Sequence, residues 1–577
     1  MFFRGLFVLV FALSNAAAPS YAQQPAPTNT QFELKVLSNA DAALYREVFE
    51  LQEDGRWPAA DQKIAEIEND ILMGYVQYQR YMHPTAYRSK YSELKRWMAY
   101  YGDHPEAHKI YKLAVKRRPR GQSSPVRWTS RKWRSAPAKN LHPLYEEDYA
   151  KTSRARLQSI EGRVRYLSNR ERALDALKEI DNHLRRRRIT ERQYDRMRSW
   201  IAASLYYQGY VDAARRISNE AAERNGDTAV LAHWIAGIIA FRDGDIADAH
   251  GHFKTMARNE HQEDSLRSAA GFWAARTALG AGAVSDVTEA LEIAAQFPFT
   301  FYGQLASAQL GVEHEFSWDA PIVTEDGFGR LIETTPRVNR AIALAEIGRK
   351  TDADVEMRWA NGEIADEQDY DLLAVAFALN LPAAQYDIAS SGSGKYLEAG
   401  LYPIPDFSPA GGFKIDRALL FALIRQESKF KVEATSRVGA RGLMQLMPRT
   451  ASWVAKDRSL RMRSGRDRLY DPSFNMHLGQ TYVDQLISGA LKGDLFHLAA
   501  AYNGGPGNLS RWRTKMQIDD PLLFIESIPS RESRDFVEKV LTNFWIYRAR
   551  FGQPALSRNK VAAGELPLYE ALDRIKG

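Results

Sequence analysis

The sequence predicts an all-α protein in which a long array of paired helices precedes a compact helical domain of different character. Apolar residues recur at helical spacing almost throughout residues 40–400, and few stretches alternate as strands do. Two similar segments, WIAASLYYQG and WIAGIIAFRD, begin at Trp200 and Trp234, 34 residues apart. A break rich in proline and glycine, FSPAGG, then ends this pattern. We therefore expect an array domain with its linker at residues 23–403 and a second domain at residues 404–577.

The first 22 residues predict a cleavable secretory signal. Arg4 precedes an apolar stretch at residues 6–13, and small residues follow up to Ala22. The apolar stretch is too short to span a membrane, and no comparable run follows, so we expect no transmembrane segment. Cleavage after Ala17 or Ala18 is an alternative, and an uncleaved amphipathic anchor is another.

The 34-residue period is typical of tetratricopeptide-like helix pairs. Gly209 and Gly244 end the first helix of two units, because glycine readily takes the left-handed conformation that terminates a helix. Looser copies lie at residues 42–61, 272–282 and 340–354. The array is thus predicted to be a curved superhelical solenoid. Such a form suits a surface that binds or shapes more than it suits catalysis.

Composition excludes several classes of protein. A hydrophobic content of 45% is too high for a disordered or fibrous chain. With no cysteine, the chain has no disulfide, no zinc–thiolate site and no cysteine nucleophile. Its 12 histidines show no HExxH or paired ligand spacing, so we expect no metal site and no other cofactor.

The net charge of +7 and pI near 9.1 fit an anionic partner without requiring nucleic acid, and we expect no nucleic-acid partner. The most basic stretch, residues 116–139, interleaves Lys and Arg with Trp128 and Trp133. Such a segment could stack on bases, meet sugars or an anionic polymer, or simply form a solvated loop.

The second domain contains a helix with a carboxyl on its apolar face. In DRALLFALIRQESKF, Leu420, Leu423, Ile424 and Glu427 share one face of the predicted helix. An apolar setting disfavours the charged carboxylate, raises its pKa and suits it to act as a general acid. The alternative is a helix-end glutamate that turns to solvent or pairs with a nearby cation, Arg425 or Lys429.

Three later motifs provide groups suited to a sugar site. They are SRVGARGLMQLMPRTA from Ser436, AYNGGPG around Tyr502, and FIESIPSRESR from Phe524. Aromatic faces such as Tyr502 and Trp512 can stack on sugar rings, and amides such as Gln445 and Asn503 can bind hydroxyl and acetamido groups. Core packing is the alternative role for each aromatic side chain.

Residues 424–540 resemble the catalytic domain of soluble lytic transglycosylases. The resemblance rests on five separated motifs in order: ES, SxxGAxGLMQxxPxTA, AYNxG, ExIP and ExR. Upstream, GYVQYQRYMHPTAYRSKY and FPFTFYGQLASAQLG resemble segments of the superhelical domain of the same family. The family implies a goose-lysozyme-like, mainly α catalytic domain and cleavage of peptidoglycan glycan strands. With export through the cleavable signal, we expect a periplasmic location.

The resemblance also implies roles for single residues. Glu427 would be the sole catalytic acid and base, and Asn503 would support its loop. Substrate-binding positions would be Ser436, Gln445, Met447, Tyr502 and Glu526. The chain departs from the family at Phe536, where a tyrosine is usual.

The implied reaction cleaves the β-1,4 bond between N-acetylmuramic acid and N-acetylglucosamine and leaves 1,6-anhydromuramic ends. Hydrolysis of the same bond is the first alternative, because Glu433, Asp471 and Glu526 are further acids in the domain. A non-catalytic scaffold that only grips glycan is the second. Proteins of cell-wall synthesis or remodelling are further candidate partners.

Overall fold

The computed structural model describes residues 33–132, 134, 153–392 and 397–573. Over these ranges the chain forms α-helices and short 3-10 helices and contains no β-strand, which confirms the predicted all-α class. The predicted signal segment, residues 1–22, and Trp133 of the basic stretch lie outside the described residues.

Five helices form an N-terminal arm. They are α1 (Asn39–Glu53), α2 (Trp57–Ile64), α3 (Met73–Met82), α4 (Tyr91–Tyr100) and α5 (Ala107–Arg117).

Among the described residues, fifteen further helices continue the array. They are α6 (Arg154–Ser168), α7 (Ala173–Arg185), α8 (Glu191–Gln208), α9 (Val211–Asn225), α10 (Val230–Asp243), α11 (Ile246–Ala257), α12 (Asp264–Ala278), α13 (Asp286–Ala295), α14 (Phe301–Leu310), α15 (Glu325–Thr334), α16 (Pro336–Glu346), α17 (Lys350–Ala360), α18 (Asp369–Ala378), α19 (Pro382–Ser391) and α20 (Leu397–Leu401). From α6 to α14 each helix packs against the next, as helix-pair repeats do.

The repeat pattern predicts helix ends well. Gly209 and Gly244 follow α8 and α10 directly, with φ of 94° and 84°, and their backbone N–H groups bond to carbonyls of the last turn. Helix starts are less evident: Trp200 lies inside α8, which begins at Glu191 after a capping box formed by Thr190 and Gln193.

The two ends of the array share one hydrophobic core. Side chains from α1 and α3, such as Tyr45 and Tyr75, pack with Leu331, Ile342 and Leu372 of α15, α16 and α18. Helices α1 and α3 of the arm therefore pack against a part of the array that follows hundreds of residues later.

A buried charge network reinforces this core. Glu356 of α17 is fully buried and accepts hydrogen bonds from Arg337 and Tyr75, both at 2.7 Å. Arg340 bonds to Glu356 and to Asp103 of the arm, each at 2.8 Å. A buried carboxylate is tolerated only when such partners satisfy it.

The basic stretch is held by intramolecular ion pairs. Arg131 pairs with Asp387, and Arg134 with Asp369. Trp128 packs edge-on against Tyr111, with ring centroids 5.0 Å apart. Among the described part of the stretch, these side chains thus fasten the segment to α5 and to helices late in the array.

The part of the C-terminal region that the structure describes contains eight α-helices. They are α21 (Arg417–Glu427), α22 (Pro448–Val454), α23 (Pro472–Ser488), α24 (Leu495–Gly504), α25 (Pro506–Met516), α26 (Pro521–Ser527), α27 (Arg531–Arg550) and α28 (Leu556–Ala562). The long helix α27 packs against α21 and α24. One core runs from this region into the array, where Phe301 of α14 stacks on Trp545 of α27 at 5.2 Å.

The described helices include none that is long and apolar enough to cross a membrane.

Candidate functional site

Glu427 is the last residue of α21, whose preceding residues 418–424 are all buried. Ser428 then turns its hydroxyl back to the Ile424 carbonyl, and Lys429 and Phe430 both take left-handed conformations, with φ of 52° and 62°. Phe430 is buried in the core, which holds this turn in place. The turn ends the helix so that the Glu427 side chain remains partly buried.

Neither nearby cation pairs with Glu427. Arg425 donates to the Leu401 carbonyl and to Asn543 Oδ1, at 2.7 and 2.6 Å, and lies over the Tyr402 ring. Lys429 lies over the Tyr386 ring, with Nζ 5.3 Å from the centroid. The alternative of an ion-paired helix-end glutamate is therefore wrong for these two cations.

The setting of Glu427 favours its protonated form. Burial, followed by the negative charge of Glu532, raises the pKa of Glu427 to about 8. A carboxyl with such a pKa keeps its proton at neutral pH and can act as a general acid.

The loop from Ala434 to Met447 folds by backbone bridges between Thr435, Arg441 and Leu446. Gln445 has a left-handed φ of 45°, and its Nε2 donates to the carbonyls of Ala434 and Gly442. The Ser436 hydroxyl accepts from the Ala440 N–H at 3.0 Å. Met447 is 38% exposed. Two of these candidate binding side chains are thus bonded within the loop, and Met447 is open to solvent.

Asn475 of α23 supports the same loop, a role that sequence reasoning missed. It is fully buried; its Oδ1 accepts from Met444 N–H at 2.8 Å, and its Nδ2 donates to the carbonyls of Arg441 and Leu469. A buried polar residue so thoroughly bonded fixes the loop geometry. No motif in the sequence distinguishes this amide from others of the domain.

Tyr502 is bonded to the loop and lies near Glu427. Its hydroxyl donates to the Met444 carbonyl at 2.8 Å, and its ring stacks on Phe536 with centroids 6.1 Å apart and planes inclined by 8°. The pKa of Tyr502 is raised well above its usual value by burial and next by the charge of Glu427, so the two side chains are neighbours.

The two remaining candidates, Asn503 of α24 and Glu526 of α26, are bonded to residues of other helices. Asn503 Oδ1 accepts from the Ser533 hydroxyl at 2.7 Å, which ties α24 to α27. Glu526 is 5% exposed and accepts a hydrogen bond from Tyr302 of the array at 2.5 Å. Burial raises the pKa of Glu526 to about 7. No contact among the described residues joins Glu526 directly to Glu427.

Glu532 is the acid that influences Glu427, and sequence reasoning passed over it. Asp471 instead caps α23 by accepting the Phe474 N–H at 2.6 Å. Glu433 and Glu526 are absent from the causes of the raised pKa of Glu427. Glu532 stands within the ESR motif, but nothing in its spacing relates it to a residue so far back in the chain.

Residues 407–523 match the family model described as "Transglycosylase SLT domain". The chain is 26% identical over 373 residues to the soluble lytic murein transglycosylase of Escherichia coli K12, across 63% of this chain and 56% of that protein. It is 30% identical over 157 residues to membrane-bound lytic murein transglycosylase C of Shigella sonnei, across 24% of this chain and 44% of that one.

Two solved structures have a similar fold. The 70 kDa soluble lytic transglycosylase of Escherichia coli matches with a TM-score of 0.56 and 18% identity, over 89% of this chain and 97% of that one. An inactive mutant of the lytic transglycosylase Slt from Pseudomonas aeruginosa matches with a TM-score of 0.52 and 17% identity, over 93% and 90%. The sequence match spans little more than half the length of the curated Escherichia coli relative.

Proposed function

We propose that this chain, a homologue of the soluble lytic murein transglycosylases that carries an SLT domain, is itself a peptidoglycan lytic transglycosylase. The observation that carries the proposal is the state of Glu427. Its carboxyl ends a buried helix beside Tyr502, pairs with neither nearby cation, and has a pKa of about 8. It is therefore a protonated acid at neutral pH.

The reaction needs only this carboxyl and the substrate. Glu427 gives its proton to the glycosidic oxygen as the bond to the muramic anomeric carbon breaks, and the substrate acetamido group supports the positive charge there. The resulting carboxylate takes the proton of the muramic C6 hydroxyl, whose oxygen bonds to the anomeric carbon. Glu427 is protonated again, the product ends in 1,6-anhydromuramic acid, and no water is consumed. The intramolecular nucleophile replaces the second carboxylate of ordinary glycosidases.

We assign glycan binding to the surfaces around Glu427, with Asn503 as a support. The aromatic face of Tyr502 and the exposed thioether of Met447 can contact sugar rings. The substrate-binding set is Ser436, Gln445, Met447, Tyr502 and Glu526. Residues 404–577 form the catalytic domain in this proposal, and residues 23–403 form the superhelical domain that restricts which glycan strands reach it.

The proposed location is the periplasm, reached through the signal segment at residues 1–22. Peptidoglycan glycan strands are the proposed substrate, and proteins of cell-wall synthesis or remodelling are candidate partners. The family resemblance and the homologues support this location.

Hydrolysis of the same bond is a second candidate function, because Glu532 gives Glu427 a neighbouring carboxylate. A hydrolase would use Glu532 to activate a water, as paired carboxylates do in glycosidases. The transglycosylase needs no such base.

Mass spectrometry of muropeptides released from purified sacculi tests the proposal. Wild-type protein should release 1,6-anhydromuropeptides, and Glu427→Gln should bind glycan but release none. Glu532→Gln is the matched variant: it should keep the anhydro product. Products heavier by one water that vanish in Glu532→Gln would establish the hydrolase instead. Binding without any product from the wild type would indicate a scaffold.

A further inference from the structure

A tyrosine of the array reaches a carboxyl of the C-terminal region. Tyr302, the second residue of α14, donates its hydroxyl to Glu526 Oε1 at 2.5 Å. Both side chains are almost fully buried, with exposures of 1% and 5%. The hydrogen bond therefore lies inside the contact between the two parts of the chain, where water competes little for it.

Two further tyrosines, both from α8, hold the residues that follow Glu526. The Tyr206 hydroxyl bonds to the Ser527 hydroxyl at 2.8 Å. The Arg534 guanidinium lies 3.5 Å from the centroid of the Tyr207 ring, and it also donates to the Ile528 carbonyl. The end of α26 and the start of α27 are thus fixed by side chains of the array.

The same segment supports the proposed active site. Ser533 of α27 donates to Asn503, and Phe536 stacks on Tyr502. The array thus contacts Glu526, and the same stretch of chain, through Ser533 and Phe536, contacts Asn503 and Tyr502.

We propose that Tyr302 is a positioning residue, which orients the carboxylate of Glu526 to accept hydrogen bonds from the sugar, so that the array forms part of the glycan groove. The inference rests on the proposed function and on the assignment of Glu526 to that groove. An acceptor carboxylate contributes most when it is held in place before the sugar arrives. Tyr302 provides that orientation from outside the catalytic domain.

Several titratable groups surround Glu526. They are Tyr302 on α14, Tyr206 and Tyr207 on α8, and Arg534, Asp535 and Glu538 on α27, while Arg242 on α10 bonds to Tyr206. Burial raises the pKa of Glu526, while the Tyr302 hydroxyl and then Arg534 lower it, because both stabilise the carboxylate. Removal of the Tyr302 hydroxyl should therefore raise the pKa of Glu526 further.

The test is steady-state kinetics of the full chain with Tyr302→Phe, on a defined glycan oligomer. We expect KM to rise about tenfold with kcat changed by less than about twofold, since the lost bond orients a binding group. The ascending limb of the kcat/KM pH profile should move to higher pH, because the carboxylate form is the one that binds.

Tyr206→Phe is the matched control, since it removes one buried hydroxyl from the same contact, and that hydroxyl bonds to Ser527 and Arg242 rather than to Glu526. It should leave KM and the pH profile unchanged. Unaltered KM and pH profile in Tyr302→Phe, or the same change in Tyr206→Phe, would overturn the inference.

A second variant leaves Tyr302 in place, so it tests the role of Glu526 even if Tyr302→Phe folds poorly, and an unchanged KM in Glu526→Gln would overturn the inference. Glu526→Gln retains an oxygen that accepts the Tyr302 bond, and it should raise KM and abolish the ascending limb. Adding Tyr302→Phe to it should raise KM little further, since both changes act through one carboxylate. If the two substitutions raised KM by independent factors that multiply in the double variant, the inference would be contradicted. Lack of any anhydro product from the wild type would instead remove the proposed function and this inference together.

Discussion

The negative charge of Glu532, on the first turn of α27, acts on Glu427 at the end of α21 and adds to burial in raising the pKa of Glu427 to about 8. Two carboxyls that interact resist ionising together, so one of them keeps its proton. Glu532 is exposed, whereas Glu427 is partly buried, so burial disfavours the charged form of Glu427. The proton therefore stays on Glu427 at neutral pH.

Replacing Glu532 should shift the pH range of activity. Activity of an enzyme that uses Glu427 as its acid falls as pH rises through the pKa of about 8, where the proton is lost. Glu532→Gln removes the repulsion, lowers the pKa of Glu427, and should move the descending limb down by about half a unit. The measurement is the pH dependence of kcat/KM. Glu433→Gln is the control, and an equal shift there would show that the effect is not specific to Glu532.

The Glu427→Gln protein should be more stable than the wild type at alkaline pH. The folded state keeps the Glu427 proton up to about pH 8, whereas the unfolded chain releases it near its ordinary pKa of 4.5. Because the folded state binds the extra proton, the free energy of unfolding of the wild type declines as pH rises through this window. The amide avoids this loss, so we expect a gain of about 1–3 kcal/mol at alkaline pH.

Thermal unfolding at acidic and alkaline pH measures this gain. Near pH 4 the Glu427 carboxyl is mostly protonated in both the folded and the unfolded state. The wild type and Glu427→Gln should then unfold at similar temperatures, which provides the internal control. A stabilisation that is the same at both pH values would mean that burial does not disfavour the Glu427 charge.

Two glycines of the loop beside Glu427 should differ sharply in tolerance of alanine. Both have positive φ, 77° at Gly442 and 93° at Gly439. A methyl group on Gly442 would overlap the Leu469 carbonyl and the Asn475 amide. At Gly439 no heavy atom of the described residues, other than those of its two chain neighbours, lies within 4 Å of that position. We expect Gly442→Ala to cost about 3 kcal/mol or more of the free energy of unfolding, and Gly439→Ala about 1 kcal/mol. Urea titrations of both proteins compare these costs, and equal values would contradict the close contacts around Gly442.

Glu356→Gln should loosen the core shared by the two ends of the array. It removes the charge that pairs with the buried guanidinium of Arg337 and the largely buried one of Arg340. We expect the free energy of unfolding to fall by about 3–5 kcal/mol. Glu363→Gln is the matched control, because Glu363 also pairs with Arg337 but its side chain is 31% exposed, and about 0–1 kcal/mol should be lost.

Limited proteolysis distinguishes the two variants. In Glu356→Gln the described arm should be cut faster than in the wild type, and in Glu363→Gln it should not. Equal cleavage of all three proteins would show that the network does not hold the arm.

Features encoded within one helix could be predicted from the sequence. The helical class, the positive φ of Gly209 and Gly244, and the apolar face that ends at Glu427 all follow from local spacing. These are properties of a single turn or helix, which neighbouring residues determine.

Contacts between distant residues could not be predicted. Tyr302 and Glu526 are 224 residues apart, and Tyr75 and Glu356 are 281 apart. Which helix faces which depends on the packing of many side chains at once, and no local pattern records it. The role of Glu532 was missed for the same reason: its motif was visible, but its proximity to Glu427 is a product of packing.

The shared core of the arm and the late helices imposes an order on folding. Tyr45 and Tyr75 are synthesised early, yet partners such as Ile342 and Leu372 follow roughly 300 residues later. Until those residues emerge, the apolar faces of α1 and α3 have no native surface to cover them, while α6 to α14 can already pack on one another. Helices α1 and α3, although synthesised early, are thus among the last to reach their native packing. A chain that ended before α18 would leave their apolar faces open to aggregation and proteases.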